Sequence, residues 1–223
     1  MNKIKILTSV LKANDQLAGS TREWFNGKGI TAFNMMSSPG SGKTTIIESI
    51  VGTMKDRSSV AVLEGDIETT LDSERISKKK VKVVSINTGP FGGDCHLEAS
   101  WIRTALGELD LKKVKTVIIE NIGNLVCPAE FDTGSHRNIV VLSVPEGDDK
   151  PAKYPLAFNK ADLVILNKID LLPYVDFDKK TFLKNLRSVN PKAKVIETSG
   201  KTGSGIHKVS EWMDAQRMTR RKK

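Results

Sequence analysis

The stretch Ser37-Ser38-Pro39-Gly40-Ser41-Gly42-Lys43-Thr44-Thr45 decides how this chain folds. It follows a short apolar run, Thr31–Met36, and opens a segment of helical spacing, Thr44–Lys55. Phosphate oxygens need donors that approach without side chains in the way. Gly40 and Gly42 clear that path for backbone amides, Pro39, Ser41 and Thr45 complete the loop, and the helix N-terminus adds partial positive charge. Lys43 is placed to reach β- and γ-phosphates, and the Thr44 hydroxyl to ligate Mg²⁺. Ser37 stands where this pattern ordinarily begins with glycine.

Outward from the loop, apolar runs alternate with helical stretches. The runs are Thr31–Met36, Val60–Glu64, Val81–Ile86, Val114–Ile119, Asn138–Val144, Leu163–Leu166 and Lys194–Ile196. The helical stretches are Thr44–Lys55, Thr69–Lys78, His96–Glu108, Ala152–Lys160, Asp178–Val189 and Ile206–Met218. Strands that are apolar on both faces and separated by helices predict an α/β fold of the P-loop NTPase type. Its central sheet is mainly parallel and flanked by helices on both faces. Leu7, Val10, Leu11, Leu17, Ala18, Trp24 and Phe25 recur at helical spacing, so residues 1–28 read as an opening amphipathic helix stopped by Asn26-Gly27-Lys28-Gly29. No linker or repeat divides the chain, so residues 1–223 read as a single nucleotide-binding domain. In such sheets ligands bind beyond the carboxyl ends of the strands, and the loops there should carry the chemistry.

Composition narrows the function. The 223 residues are 39% hydrophobic and only 5% aromatic, which calls for an aliphatic core. Of the formal charge of +9, five positives (Arg217, Arg220, Arg221, Lys222 and Lys223) lie in the last seven residues. This basic tail, 217–223, reads as the solvated end of the last helix. No nucleic-acid motif accompanies it, and a nucleic-acid partner is not expected. No apolar run is long enough to span a bilayer and the N-terminus lacks a secretory signal, so the expected location is cytoplasmic, off the membrane. Two cysteines exclude a disulfide scaffold.

Two strands end in acids, Glu64-Gly65-Asp66 and Glu120. A magnesium ion on a nucleotide takes one or two protein oxygens and keeps several waters, and Asp66 and Glu120 can supply them; the alternative is that each caps the next helix. Asp72, Glu74 and Arg75 read as an exposed helix face, outside the site. After Val164-Ile165-Leu166 comes Asn167-Lys168-Ile169-Asp170. A carboxylate at Asp170 can accept from both N1–H and the exocyclic amine of guanine, a donor pair adenine lacks, which selects GTP. Asn167 can bond the N7 side and the Lys168 stem can lie along the ring. Ser199-Gly200-Lys201 resembles the loop that backs the base in G proteins, or is a plain Ser/Gly turn.

Cys95-His96 lies in a glycine-rich loop just ahead of a predicted helix, whose N-terminus would lower the thiol pKa. Cys127 follows Glu120 by a few residues. Both loops follow strands, so both thiols can reach one rim of the sheet, where two thiolates and the His96 imidazole suit Zn²⁺ or Ni²⁺. Three ligands leave a closed tetrahedral site one short. The alternatives are two buried apolar cysteines, or a Cys95–Cys127 disulfide, which the cytosol disfavours. His136 and His207 read as surface or loop residues without partners.

Together these motifs resemble the nickel-insertion GTPases of hydrogenase maturation, the HypB type, within the SIMIBI class of P-loop NTPases. The matching segments are Ser37–Thr45, Gly65-Asp66, Asn87-Thr88-Gly89 with Cys95-His96-Leu97, Ile119–Pro128, Glu146-Gly147-Asp148-Asp149-Lys150-Pro151 and Asn167–Pro173. The related urease nickel GTPases carry a Cys-Pro-His triplet in place of Cys95-His96. The resemblance implies a GTP-switched homodimer that holds metal at the subunit interface through Cys95, His96 and Cys127. It also implies slow GTP hydrolysis and nickel handed to a hydrogenase large-subunit precursor alongside other maturation factors. In that mechanism Lys43 and Mg²⁺ help an in-line attack by water, which Asp66 positions. The chain departs from the pattern in lacking a cysteine-rich or histidine-rich nickel stretch and in a longer segment between Gly89 and Cys95. The rival readings are a GTPase for another metal centre (a urease or cobalamin enzyme) and a non-catalytic metal store; the guanine-type loop argues against a kinase.

Overall fold

The computed structural model describes residues 2–54, 56–91 and 93–217. Of the basic tail, Arg217 alone falls within these bounds. Seven strands form one sheet: β1 (Thr31–Ser37), β2 (Val60–Asp66), β3 (Lys82–Asn87), β4 (Thr116–Gly123), β5 (Arg137–Ser143), β6 (Leu163–Asn167) and β7 (Lys194–Glu197). Their order is β3-β2-β4-β1-β5-β6-β7, and every pairing is parallel. The expected architecture is therefore present, with the strand that feeds the phosphate loop at its centre.

Nine α-helices are described: α1 (Asn2–Lys28), α2 (Lys43–Thr53), α3 (Leu71–Ser77), α4 (Ala99–Gly107), α5 (Cys127–Glu130), α6 (Lys150–Lys153), α7 (Pro155–Asn159), α8 (Lys179–Val189) and α9 (Ile206–Ala215). They cover both faces. Alternate residues of β1 show the two sides even though the strand is buried throughout: Phe33 and Met35 pack with Ile46, Ile50 and Val209 under α2 and α9. Ala32 packs with Phe25, Ile102 and Leu106 under α1 and α4, and Met36 with Phe158, Phe182 and Leu186 under α7 and α8.

The opening helix ends where expected, and two other helix boundaries differ from the sequence expectation. Helix α1 runs through Gly27 and ends where Gly29 turns left-handed at φ 65°. There Ile30 N–H donates to Phe25 C=O and Gly29 N–H to Asn26 C=O, a closure that needs a residue able to take positive φ. The single helix expected over Ala152–Lys160 is two, broken at Tyr154, because Pro155 pushes the residue before it out of helical conformation. Helix α4 begins at Ala99, not at His96, and Glu98 before it is extended. Cys95 thus stands four positions ahead of the helix, and the helix-dipole argument for its thiol does not apply.

Candidate nucleotide site and thiol pair

A cleft of about 520 Å³ opens at the carboxyl end of β1, β2 and β4, among them Pro39, Gly40, Lys43, Thr44, Glu64, Asp72 and Glu120. Gly40 and Gly42 take φ of 72° and 96°, conformations that favour glycine. A Cβ on Gly42 would also come 2.6 Å from Asn167 Nδ2. Ser37, the departure from the usual loop, has its own role: Lys43 Nζ donates to its buried Oγ at 2.8 Å. Burial pulls the Lys43 amine below its ordinary pKa, opposed by Glu120, Asp72, Glu146 and Glu64.

The Thr44 hydroxyl lies 2.7 Å from Glu120 Oε1 and 2.8 Å from Asp72 Oδ2, yet it has one proton to donate. Glu120 is buried and its second oxygen has no hydrogen-bond partner. Burial raises its pKa to about 7 against the pull of Lys43 and Thr44. Glu64, its neighbour across the β2–β4 register, is raised to about 7 by burial and by Glu120 itself. A hydroxyl facing two carboxylates, one with a bare buried oxygen, is a donor set suited to a hard divalent cation such as Mg²⁺. Thr44 and Glu120 fit the magnesium assignment, and Asp72 joins them.

Asp72 was missed because its sequence neighbours, Glu74 and Arg75, gave α3 the look of a solvated charged face. Arg75 binds Asp72 at 2.8 Å and Glu48 at 2.5 Å, and so fastens α3 onto α2 beside the phosphate loop. Asp66 behaves differently. Its Oδ1 accepts from Glu68 N and Thr69 N and its Oδ2 from Thr69 Oγ1. Burial raises its pKa, but these donors prevail and hold it below the usual range. The carboxylate expected to position water is committed to the turn after β2, at the edge of the cleft.

The residues expected to read the base are brought together, held by contacts among themselves and with the phosphate loop. Asn167 Nδ2 donates to Ser41 C=O, while its Oδ1 accepts from Thr198 Oγ1 and Gly200 N, so the buried amide ties the phosphate loop to the last loop instead of standing open for a purine. Lys168, left-handed at φ 60°, donates through Nζ to Gly40 C=O at 2.6 Å. Asp170 accepts from Ser199 Oγ at 2.5 Å, and Ser199 Oγ accepts in turn from Thr202 N. A Cβ on Gly200 would press to 2.9 Å from Thr45 Cγ2, which explains glycine where alanine is usual. Lys201 is exposed.

Further along the same rim, Cys95 and Cys127 converge. Both are unpaired thiols, and their sulfurs lie 2.8 Å apart, well beyond the disulfide bond length of about 2.05 Å. The contact with Cys95, then burial, raises the Cys127 thiol pKa. His96 is not a third member in this chain: among the described residues no group of three His, Cys, Asp or Glu side chains is set to hold a metal. Its ring stacks on Phe131, centroids 3.8 Å apart, buried with no hydrogen-bond partner on either nitrogen; Glu98 Oε1 stays 3.8 Å away. Burial keeps the imidazole pKa low against Glu98 and Asp94, so it is neutral, the metal-binding form.

The two sites are joined through β4. Past Glu120, Asn121 Oδ1 accepts from Leu97 N, next to His96, and Asn124 Nδ2 reaches Cys95 C=O at 3.4 Å. Leu97 packs so closely on Gly65, between Glu64 and Asp66, that a Cβ there would lie 2.8 Å from Leu97 Cδ1. Of the remaining histidines, His207 is exposed as expected. His136 is not partnerless: its Nδ1 accepts from Ala32 N and its Nε2 faces Asn26 Oδ1.

The family described as the CobW/HypB/UreG nucleotide-binding domain matches residues 31–197, from the first residue of β1 to the last of β7. The chain belongs to this family. The match spans both the phosphate-loop cleft and the thiol pair. A curated relative, the probable hydrogenase maturation factor HypB of Methanocaldococcus jannaschii, is 42% identical over 95% of this chain and 94% of its own length. The hydrogenase/urease maturation factor HypB of Helicobacter hepaticus is 43% identical over 96% of this chain and 88% of its own. The solved HypB of Helicobacter pylori, crystallised in complex with nickel, superposes with a TM-score of 0.86 at 39% identity, covering 92% of this chain and 95% of that one. The CobW/HypB/UreG assignment bears out the P-loop reading of the fold and its nucleotide-binding character.

Proposed function

We propose that the chain is a GTP-binding, slowly GTP-hydrolysing metallochaperone of the cytoplasm that delivers nickel to a hydrogenase precursor. The observation that carries the proposal is the pairing of Cys95 with Cys127, where Cys127 follows Glu120 of the nucleotide cleft along the chain and the Cys95 loop is tied to the same strand by the Leu97 N–H to Asn121 Oδ1 bond. Two thiolates in one place suit a soft or borderline cation, Ni²⁺ or Zn²⁺, and His96, next to Cys95 in the chain but stacked on Phe131 in this structure, is a third donor of the right kind once it turns toward them. One chain leaves the set incomplete. A second copy supplies the missing ligands in a homodimer, with the metal at the interface.

The nucleotide acts through charge. Thr44, Glu120 and Asp72 would hold Mg²⁺, which would supply Lewis-acid chemistry to the bound nucleotide. Lys43, with the amides after Gly40 and Gly42, binds the phosphates and steadies the charge that builds during in-line attack by water. Asp170, oriented by Ser199, selects guanine. Because Asp66 is occupied by its turn, it positions water only if that turn opens. Presence or loss of the γ-phosphate shifts the tips of β2 and β4, and Leu97 and Asn121 pass the shift to the thiols. Such coupling is reciprocal, so bound metal changes nucleotide affinity too.

Replacing Cys95 by Ala tests the metal assignment: metal bound per protomer falls away while GTP-analogue affinity stays within about twofold. Unchanged metal stoichiometry would sink it. The urease in the Helicobacter hepaticus relative's name favours one second reading, a client other than a hydrogenase. Capture of the client from cells distinguishes the two.

A further inference from the structure

Helix α1 lies outside both sites, yet one of its side chains holds the two thiol loops together. Asn14 is buried, and both ends of its amide are used. Its Oδ1 accepts from Ala99 N at 2.9 Å, three residues after His96. Its Nδ2 donates to Asp132 C=O at 2.9 Å, five residues after Cys127. The two loops meet again just inside this bridge, where His96 stacks on Phe131, the neighbour of Asp132. About two turns further along α1, Arg22 Nε donates to Ser135 C=O, and Arg22 Nη2 reaches both carboxylate oxygens of Asp132 at 2.6 and 2.8 Å.

Neither loop is regular structure between its cysteine and these anchors, apart from the four residues of α5. The distance between Cys95 and Cys127 therefore depends on what fixes the far ends of their loops. The geometry points to Asn14 as a positioning residue for the metal site: it sets the separation of the Cys95–His96 and Cys127 loops, and thereby metal affinity, without touching metal or nucleotide. Neither Asn14 nor Arg22 lines the nucleotide cleft. The inference rests on the proposed metal role of the two cysteines. Groups that hold metal ligands in place typically change metal affinity by about 10–100-fold when removed.

The test is Ni²⁺ and Zn²⁺ affinity, by competition with a chromophoric chelator, in the full chain and in Asn14→Ala, Asn14→Asp, Arg22→Gln and Cys95→Ala, with GTP-analogue affinity measured alongside. Asn14→Ala is expected to weaken metal at least tenfold and to leave nucleotide affinity within about twofold. Asn14→Asp keeps the acceptor for Ala99 N and recovers part of the loss. Should Asn14→Ala fail to fold, losing nucleotide as well, Arg22→Gln removes a half-exposed tie to the same loop and is expected to weaken metal several-fold with nucleotide intact. Metal affinity unchanged in the folded variants, while Cys95→Ala loses the metal, overturns the positioning role and leaves the proposed function standing. Unchanged affinity in Cys95→Ala overturns the metal reading beneath it.

Discussion

Glu120 should make the nucleotide-free protein less stable as the pH rises, and Glu120→Gln should remove most of that loss. Its pKa stands at about 7 in the fold against an ordinary 4.5, chiefly because burial penalises the charge. Between those values the folded chain holds a proton that the unfolded chain has released, so stability falls with rising pH across that window and the cost is complete above about pH 7. The rise corresponds to about 3 kcal/mol. A glutamine keeps the shape and can still accept from Thr44, but its buried NH₂ gives back about 1 kcal/mol if unpaired. The variant without nucleotide or magnesium should then be more stable than the parent at pH 8 by about 2 kcal/mol, a Tm gain of roughly 4–8 °C for a chain of this size. At pH 5 the advantage should vanish or reverse. Thermal unfolding followed by circular dichroism from pH 5 to 8 reads both. Saturating Mg·GTP should invert the order at pH 8, since the variant lacks the carboxylate that the cation neutralises. Parallel curves at every pH, or a variant less stable at pH 8 without ligand, would refute the reasoning.

Other outcomes follow from named contacts. Asp170→Ala should weaken GTP at least tenfold and leave the much weaker ATP binding unchanged, as read by fluorescent-analogue competition; equal losses for both nucleotides would remove Asp170 as the guanine reader. Gly65→Ala places a methyl 2.8 Å from Leu97 Cδ1 in a buried contact and should cost about 1–3 kcal/mol. Because Leu97 adjoins His96, it should also weaken metal binding more than nucleotide binding, and a wild-type Tm would show the contact to be soft. Gly205→Ala puts a Cβ 2.0 Å from Glu197 C=O at a φ of 73°, and denaturant unfolding should show a loss larger than for Gly65→Ala.

The fold was legible because its signals are local. The Gly40–Thr45 loop, the apolar runs and the helical spacing between them each occupy a few consecutive residues, and the structure places all seven strands where those runs lie. Helix ends were less legible: the break at Tyr154 needed the backbone effect of Pro155, and the late start of α4 left Cys95 without a helix. The site was legible in its residues and less so in their partners. Thr44 meets Glu120 and Cys95 meets Cys127, as their positions at or beyond the strand ends suggested. Asp72 and Arg75 carried no spacing signal, since their role appears only when α3 folds back onto α2. Asn167 and Asp66 have the right chemistry for base and water, but side chains so rich in acceptors and donors are also the ones loops use to fix themselves. Asn14 could not be singled out at all, because both of its partners are backbone atoms far away in sequence.

The central claim is that a nucleotide cleft and a thiol metal site share one switch. Titrating Ni²⁺ and Zn²⁺ into the apo, GDP-bound and GTP-analogue-bound protein, with the mass of each species measured at every point, tests it directly. The account predicts metal affinities that differ between the GDP and GTP-analogue forms by at least fivefold, the lower end of typical coupling between sites, together with a change of assembly state. Equal metal affinity in all three forms would contradict it.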